Sequence, residues 1–555
     1  MWRTKVHMKT NNLFKAILLF TAAFAVGHTG FGQNNDLSEV WVADQGNGTF
    51  KNPILYADYS DPDICKVGDD FYMTSSSFNA IPGLPILHSK DLVNWKLIGY
   101  ALDRQAPFDH FSKPQHGNGV WAPSIRYHNN EFYIYYGDPD FGIYMVKAKK
   151  AEGPWEEPVL VQEGKGLIDP CPLWDDNGNA YLVHAFAGSR AGIKSVLVVN
   201  KMSPDGTKLL DEGTIVFDGH ENHPTIEGPK FYKRNGYYYI FAPAGGVPTG
   251  WQTVLRSKNV YGPYEDRIVM DQGNTAINGP HQGGWVELES GESWFAHFQD
   301  REAYGRIVHL QPMVWKNDWP VIGEDLDGDG KGQPVMIYKK PNVGKSYPKQ
   351  TPPDTDEFSG NRLGVQWQWH ANPKAGWAFP NAAAGKLRLY TDQLPEDAKS
   401  LWGAPNLLLQ KFPALEFAAT TKLTFNPNEE LENEKTGLLV MGEDYAHISL
   451  VSKKDGLYIA FTTANDVRHG NEEKQEIITK LKDNEVYFKV EVREGARCQF
   501  SYSENGKKFK AVGGEFTAVP GRWIGAKVGI FAVRQDKIND SGYADYDWFR
   551  VTPLK

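Results

Sequence analysis

The sequence predicts an all-β protein, a five-bladed β-propeller followed by a β-sandwich of jelly-roll, concanavalin-like type. Three observations carry this reading. A short phrase recurs five times at near-regular spacing, amphipathic helical periodicity is almost absent, and a proline-rich break near residue 350 separates two different strand patterns.

The recurring phrase sets an acidic, aromatic or histidine residue beside a proline or glycine turn and follows it with a hydrophobic run carrying a polar turn. Its copies begin at Asp61-Pro62, Trp121-Ala122-Pro123, Asp169-Pro170, Glu227-Gly228-Pro229 and Gly279-Pro280-His281. The leading residues Asp61, Trp121, Asp169, Glu227 and His281 are spaced by 60, 48, 58 and 54, and a period of about 50 in strand-rich sequence marks propeller blades. Rotation about a common axis relates the blades, so residues opening the innermost strands should converge on one cavity. Three of these five are carboxylates. Between the phrases, residues 132–136, 180–184 and 237–242 are dense in aromatic and β-branched side chains, as strands require.

At residues 341–354 the prolines Pro341, Pro348, Pro352 and Pro353 interrupt any ladder and favour an extended linker. It divides a propeller domain at 33–340 from a sandwich domain at 355–555. In the second domain residues 386–390, 415–425, 437–441, 447–452, 457–462, 486–492, 500–503, 527–533 and 546–551 read as strands. Turns such as Asp455-Gly456 and Asn505-Gly506 join neighbours as hairpins.

A chain of 555 residues is long enough for two cores. Its 59 basic and 68 acidic residues give a net charge of −9 without a basic block, which argues against nucleic acid or an anionic membrane as partner. The 17 Trp and 26 Tyr supply rings that stack on neutral sugars. Lys9 and Lys15, an apolar run over 14–26 and small residues as far as Gly32 have the order of a secretory signal peptide, 1–32, too short for membrane insertion. The expected location is periplasmic or extracellular. Three cysteines, Cys65, Cys171 and Cys498, are too few for a disulfide framework and read as buried thiols.

Hydrolysis of a glycosidic bond needs one carboxylic acid to protonate the departing oxygen and one carboxylate to activate water or attack. Asp61 and Glu227 are candidates for that pair. Proline after Asp61 and after Asp169 biases both acids toward extended backbone at a strand entrance. Three acids around one axis raise each other's proton affinity, so one stays protonated near neutral pH.

The motifs resemble glycoside hydrolase family 43, the five-bladed family of β-xylosidases and α-L-arabinofuranosidases. The matching stretches are Asp58-Tyr59-Ser60-Asp61-Pro62, residues 73–78, Val120-Trp121-Ala122-Pro123, Ile168-Asp169-Pro170, Ile226-Glu227-Gly228-Pro229 and Gly305-Arg306-Ile307-Val308. A sandwich like that of the β-xylosidases, opening at Asp356-Glu357-Phe358, extends the resemblance to the C-terminus. The resemblance implies an inverting mechanism with Asp61 as general base, Glu227 as general acid and Asp169 tuning and orienting the acid. It further implies that Arg306 binds sugar hydroxyls beside the base and that Phe78 and Trp121 wall the terminal-sugar subsite. His281 matches a histidine that often holds a Ca2+ ion in the central channel, largely through water, although calcium prefers oxygen ligands. No organic cofactor is implied.

Asp325-Leu326-Asp327-Gly328-Asp329-Gly330 imitates the start of a calcium loop, but its twelfth position is Met336, so a solvated turn is the better reading. Trp367, Trp369 and Trp377 read as core or docking residues of the sandwich. The functional expectation is an exo-acting β-xylosidase on hemicellulose-derived oligosaccharides, with α-L-arabinofuranosidase or dual activity as the alternative. A sugar-binding propeller without chemistry and a retaining fructosidase are the rivals from other classes.

Overall fold

The structure, a computed structural model, describes residues 37–554; the segment 1–32, expected to be a signal peptide, lies outside them. Five antiparallel four-stranded sheets follow one another along the chain, each running in sequence order from its first strand to its fourth. Their first strands, Asp63–Val67, Trp121–His128, Leu167–Trp174, Lys230–Arg234 and His281–Glu287, lie side by side at the centre of the propeller.

The ring closes through the chain before the first blade. Strand Thr49–Lys51 pairs with Ile337–Lys339, beyond the last blade. The buried Asn52 side chain donates to the carbonyls of Leu310 and Val335, both at 2.8 Å, and accepts the Leu310 amide at 2.8 Å. One amide side chain thus satisfies three buried backbone groups across the seam, an arrangement that no apolar residue could replace.

The entrance to each blade carries a recurrent backbone kink. Asp61, Ala122, Asp169, Gly228 and Gly279 each precede a proline and each have positive φ, 53°, 32°, 58°, 59° and 47° respectively. This corrects the expectation of extended backbone at Asp61 and Asp169. Proline excludes the right-handed helical region for the residue before it, and these residues take the left-handed side instead. Aspartate tolerates such φ values better than most residues, and the kink swings the acid out of the strand's alternation. Strand registers shift nearby, between Trp121 and Ser124, Ile168 and Cys171, and His281 and Gly283. Counted from the proline, Trp121 and Glu227 stand one residue ahead of Asp61 and Asp169, and His281 two behind. The five leading residues therefore share an entrance without being strictly equivalent.

The C-terminal domain is a sandwich of two antiparallel sheets, one of seven strands, the other of eight with a single parallel pairing. Strand Glu485–Arg493 alternates strictly, and its Val486, Phe488, Val490 and Val492 face Ala446, Ile448 and Leu450 across the core. All nine expected strands are present. Gln368–Trp369, Ala378–Asn381, Asp392–Gln393, Leu408–Lys411, Lys474–Lys480 and Lys510–Thr517 are additional. Trp367, Trp369 and Trp377 are buried in this core. The three cysteines are free and buried.

The sandwich is keyed to the propeller at the active end of the blades. Ile81 and Trp369 form a backbone bridge, Asn79 Nδ2 donates to the His370 carbonyl at 2.7 Å and the Ala526 amide to the Ala303 carbonyl at 2.7 Å. Gly525 lies flat on the backbone of Tyr304 and Gly305, where a side-chain carbon would come within 2.7 Å of the Gly305 nitrogen. Only glycine permits that approach. Residues 341–354 form no strand, and Ser38 fastens them by donating to Asp354 at 2.6 Å. Among the described residues no helix is long and apolar enough to cross a membrane.

Candidate active site

Asp61 sits at the entrance of the first blade with 3% of its surface exposed. Arg306, which opens the third strand of the fifth blade, places Nη1 at 3.0 and 3.2 Å from its two carboxylate oxygens. The Ser76 hydroxyl donates to Oδ2 at 2.6 Å. Arg306 is itself fixed by its backbone amide, which donates to Asp58 at 2.9 Å, and by the Phe298 ring beneath its guanidinium at 4.9 Å. Asp58 also accepts the Gly525 amide at 3.0 Å, so the sandwich touches the group that steadies the arginine.

Asp169, 2% exposed, accepts the Gly228 amide at 2.7 Å. Burial raises its proton affinity from the ordinary carboxylate value, to about 7. The Gly228 hydrogen bond works against that rise, the charge of Asp61 adds to it, and Lys230 and Arg306 oppose it. Glu227 precedes the inner strand of the fourth blade in an irregular segment, its amide donating to the Pro243 carbonyl at 3.1 Å. Its side chain keeps 31% exposure. Burial of its surroundings raises its proton affinity from 4.5 to about 8, the charge of Asp169 raises it further, and Arg306 lowers it. The three acids and the arginine therefore lie in one another's fields, and Asp169 and Glu227, pushed up by burial and by their mutual repulsion, retain a proton between them near neutrality.

His281 opens the innermost strand of the fifth blade with no exposed surface and neither ring nitrogen hydrogen-bonded. Its Nε2 is 3.6 Å from Glu227 Oε1. Burial keeps the ring neutral by pushing its basicity down to about 3, reinforced by Arg306 and His297. At the equivalent level of two other blades charged groups find partners: the buried Lys230 ammonium donates to Pro123 O and Ser124 Oγ, both at 3.0 Å, and Arg126 to Asp63 Oδ2 at 2.6 Å. A neutral imidazole with two orphaned nitrogens fits a hydrated cation as a single donor. Among the described residues the only group of three close metal-ligating side chains is Asp325, Asp327 and Asp329. There Lys316 pairs with Asp325 and Lys331 with Asp329, in a turn whose second and third acids are exposed, as the solvated-turn reading expects.

Phe78 is buried, with φ of 51°, and its backbone bridges to Val120 in both directions at 3.0 and 3.1 Å. That bridge sets Phe78 against the residue preceding Trp121. Trp121 is partly exposed, and its indole donates to the Gly117 carbonyl at 2.8 Å. Across the opening stands a residue that the sequence did not single out. Trp523, on the sandwich loop Pro520–Gly525, packs edge to face on Trp121 with ring centres 6.3 Å apart. A cleft of about 320 Å³ lies between Asp300, Glu302 and Arg306 of the propeller and Glu443, Arg522 and Trp523 of the sandwich. No local pattern in Pro520-Gly521-Arg522-Trp523 announces this role, since it depends on how the two domains dock.

Residues 50–320 match the family model for Glycosyl hydrolases family 43, and residues 355–552 the Beta xylosidase C-terminal Concanavalin A-like domain. A protein of Xylanibacter ruminicola named putative beta-xylosidase is 41% identical over 496 residues, 88% of this chain and 86% of its own. The chain belongs to glycosyl hydrolase family 43. It is also 30% identical to a non-reducing end alpha-L-arabinofuranosidase of Bacteroides ovatus, over 92% of this chain and 96% of that one. The crystal structure of a xylan beta-1,4-xylosidase from Bacillus halodurans superposes with a TM-score of 0.79 at 25% identity, covering 90% of this chain and 99% of that one.

As a family 43 member the protein is a glycosidase, and its chemistry has to come from the groups gathered here. A carboxylate held by a guanidinium and a hydroxyl, facing a carboxylic acid of raised proton affinity, is an arrangement able to take a proton from water and give one to a leaving oxygen.

Proposed function

We propose that the protein is an exo-acting, inverting β-xylosidase that releases xylose from xylo-oligosaccharides. The observation that carries the mechanism is the electrostatic division of labour between Asp61, held by Arg306 and Ser76, and Glu227, pushed up by burial and Asp169. Water gives its proton to Asp61 as its oxygen attacks the anomeric carbon, and the glycosidic oxygen departs with the proton of Glu227. Asp169 orients the acid through the Gly228 amide, while Arg306 binds sugar hydroxyls and Phe78 and Trp121 flank the sugar. The sandwich loop with Trp523 narrows the opening, which favours chain ends over internal sites.

Xylose is preferred because the 41%-identical relative carries the name beta-xylosidase and the second domain matches a β-xylosidase domain. α-L-Arabinofuranosidase activity is the second reading, favoured by the name of the Bacteroides ovatus relative. We infer export through residues 1–32 to the periplasm or beyond, consistent with a polymeric substrate. If a cation is present in the channel, His281 would hold it with water and it would supply positive charge beside the carboxylates. The test is hydrolysis of para-nitrophenyl β-xylopyranoside beside the α-arabinofuranoside, with proton NMR of the first anomer formed. α-Xylose first is the expected result; β-xylose first would point to a covalent intermediate, and faster turnover of the arabinoside would reverse the sugar preference.

A further inference from the structure

Ser76 lies in the turn after the second strand of the first blade, between Thr74 and Phe78, and is almost entirely buried. Its hydroxyl has two close partners. The Ala122 amide reaches Oγ at 2.7 Å, and Oγ reaches Asp61 Oδ2 at 2.6 Å. A backbone N–H can only donate, so Oγ is the acceptor in the first contact. The single hydroxyl proton is left for Asp61, and a carboxylate is the partner that can take it. The direction of both hydrogen bonds is therefore set by chemistry, without a choice of rotamer.

The two oxygens of Asp61 are consequently unequal. Oδ2 receives Ser76 and the longer Arg306 contact of 3.2 Å, whereas Oδ1 receives only Arg306, at 3.0 Å. An oxygen already accepting two donors is the poorer base. We propose that Ser76 is a positioning residue of the hydrolytic reaction, which occupies Oδ2 of Asp61 so that Oδ1 takes the proton of water. The inference rests on the reading of Asp61 as base. It adds a second consequence. Ala122 has φ of 32° and directly follows Trp121, so the same hydroxyl ties the base to the backbone of the aromatic wall. The base and the sugar-binding ring are then placed relative to each other by one side chain.

The groups around Asp61 whose charge or titration bears on it are Arg306 from the fifth blade, Asp169 from the third, Glu227 from the fourth and Asp58 on its own segment. A change at Ser76 leaves all of them in place, so a displaced pH profile reports the hydroxyl. Removing a donor that favours the ionised carboxylate moves the acidic limb of kcat/KM to higher pH. Ser76→Ala should show that displacement, by half a pH unit or more, with kcat reduced at least tenfold and KM changed much less. Ser76→Thr, which keeps the hydroxyl, should restore most of both. If alanine proves unstable, Ser76→Cys, nearly isosteric and a far weaker donor, should show the same displacement in a folded protein. An acidic limb in the wild-type position, for whichever of the alanine and cysteine variants folds, overturns the proposal even if turnover or melting temperature falls. Asp61→Asn separates the two readings. Near wild-type turnover in that variant defeats the base itself, whereas a dead Asp61→Asn beside an unmoved Ser76 limb defeats only the role of the serine.

Discussion

Asp169 accepts the backbone amide of Gly228, at 2.7 Å, and Gly228 is the residue after Glu227. The third-blade acid thus holds the peptide that carries the fourth-blade acid, and its charge simultaneously raises the proton affinity of Glu227. Geometry and titration are coupled through one carboxylate. In Asp169→Asn the charge is lost while an amide oxygen can still accept Gly228. The basic limb of kcat/KM should therefore move to lower pH, because Glu227 gives up its proton sooner. Asp169→Ala should lose the hydrogen bond as well and fall further in kcat. A basic limb at the same pH in wild type and Asp169→Asn would show that the charge does not govern the acid.

Asp61→Asn and Glu227→Gln should each lower turnover by a factor of roughly 10² or more, the usual size of general acid–base assistance. Their dependence on substrate should differ. An activated leaving group needs little protonation, so para-nitrophenyl xyloside should tolerate loss of Glu227 better than loss of Asp61. Natural xylobiose should be equally sensitive to both. Small, equal losses on both substrates would remove the distinction between base and acid.

Stability should fall as pH rises through the range in which these acids ionise. Glu227 and Asp169 have folded proton affinities raised above their unfolded values of 4.5 and 3.8, to about 8 and about 7, so the native state binds protons more tightly than the unfolded chain. The stabilisation is complete below pH 4 and is lost as pH rises toward 8. Neutralising Glu227 as Gln should flatten that decline and raise the stability of the protein at pH 8 relative to wild type. Thermal melting of both proteins from pH 5 to 8 would show converging curves at the acidic end. Parallel curves would mean that the acid is not held protonated by the fold.

The repeat made the propeller and its three carboxylates legible, because each blade opens on a proline that is visible in the sequence. The backbone at those prolines was not legible. Asp61 and Asp169 take positive φ, whereas the pre-proline rule alone points to extended chain. In the sandwich, alternation revealed Glu485–Arg493, but Lys474–Lys480 is an exposed strand at the edge of its sheet and shows no buried face to read. Ser76 lay within a run of three serines with nothing to distinguish it. Trp523 came from the other domain, and only docking reveals that it meets Trp121.

That docking places a sandwich loop at the rim of the cleft. Trp523 is 48% exposed, so Trp523→Ala should leave melting nearly unchanged. An aromatic contact is worth about 0.5 to 1.5 kcal/mol beyond area burial, which corresponds to a several-fold rise in KM for xylotriose. The small para-nitrophenyl substrate should be affected less. Equal KM values for variant and wild type on the oligosaccharide would exclude the loop from substrate binding.

His281 poses the sharpest test of the channel. It is buried, neutral and without a hydrogen-bond partner, 3.6 Å from Glu227. A buried polar group left alone is costly, so its nitrogens require water or a hydrated cation as partners. His281→Ala should lower activity together with any response to calcium, and lower it more than it lowers the melting temperature. Exhaustive chelation of the wild type separates the two partners. If activity and melting survive chelation while His281→Ala still loses turnover, water is the partner and the histidine acts as a hydrogen-bonding wall of the acid's pocket. If chelation costs activity in the wild type and none in His281→Ala, the cation is real and the imidazole holds it. Wild-type turnover in His281→Ala would remove the histidine from the catalytic channel altogether.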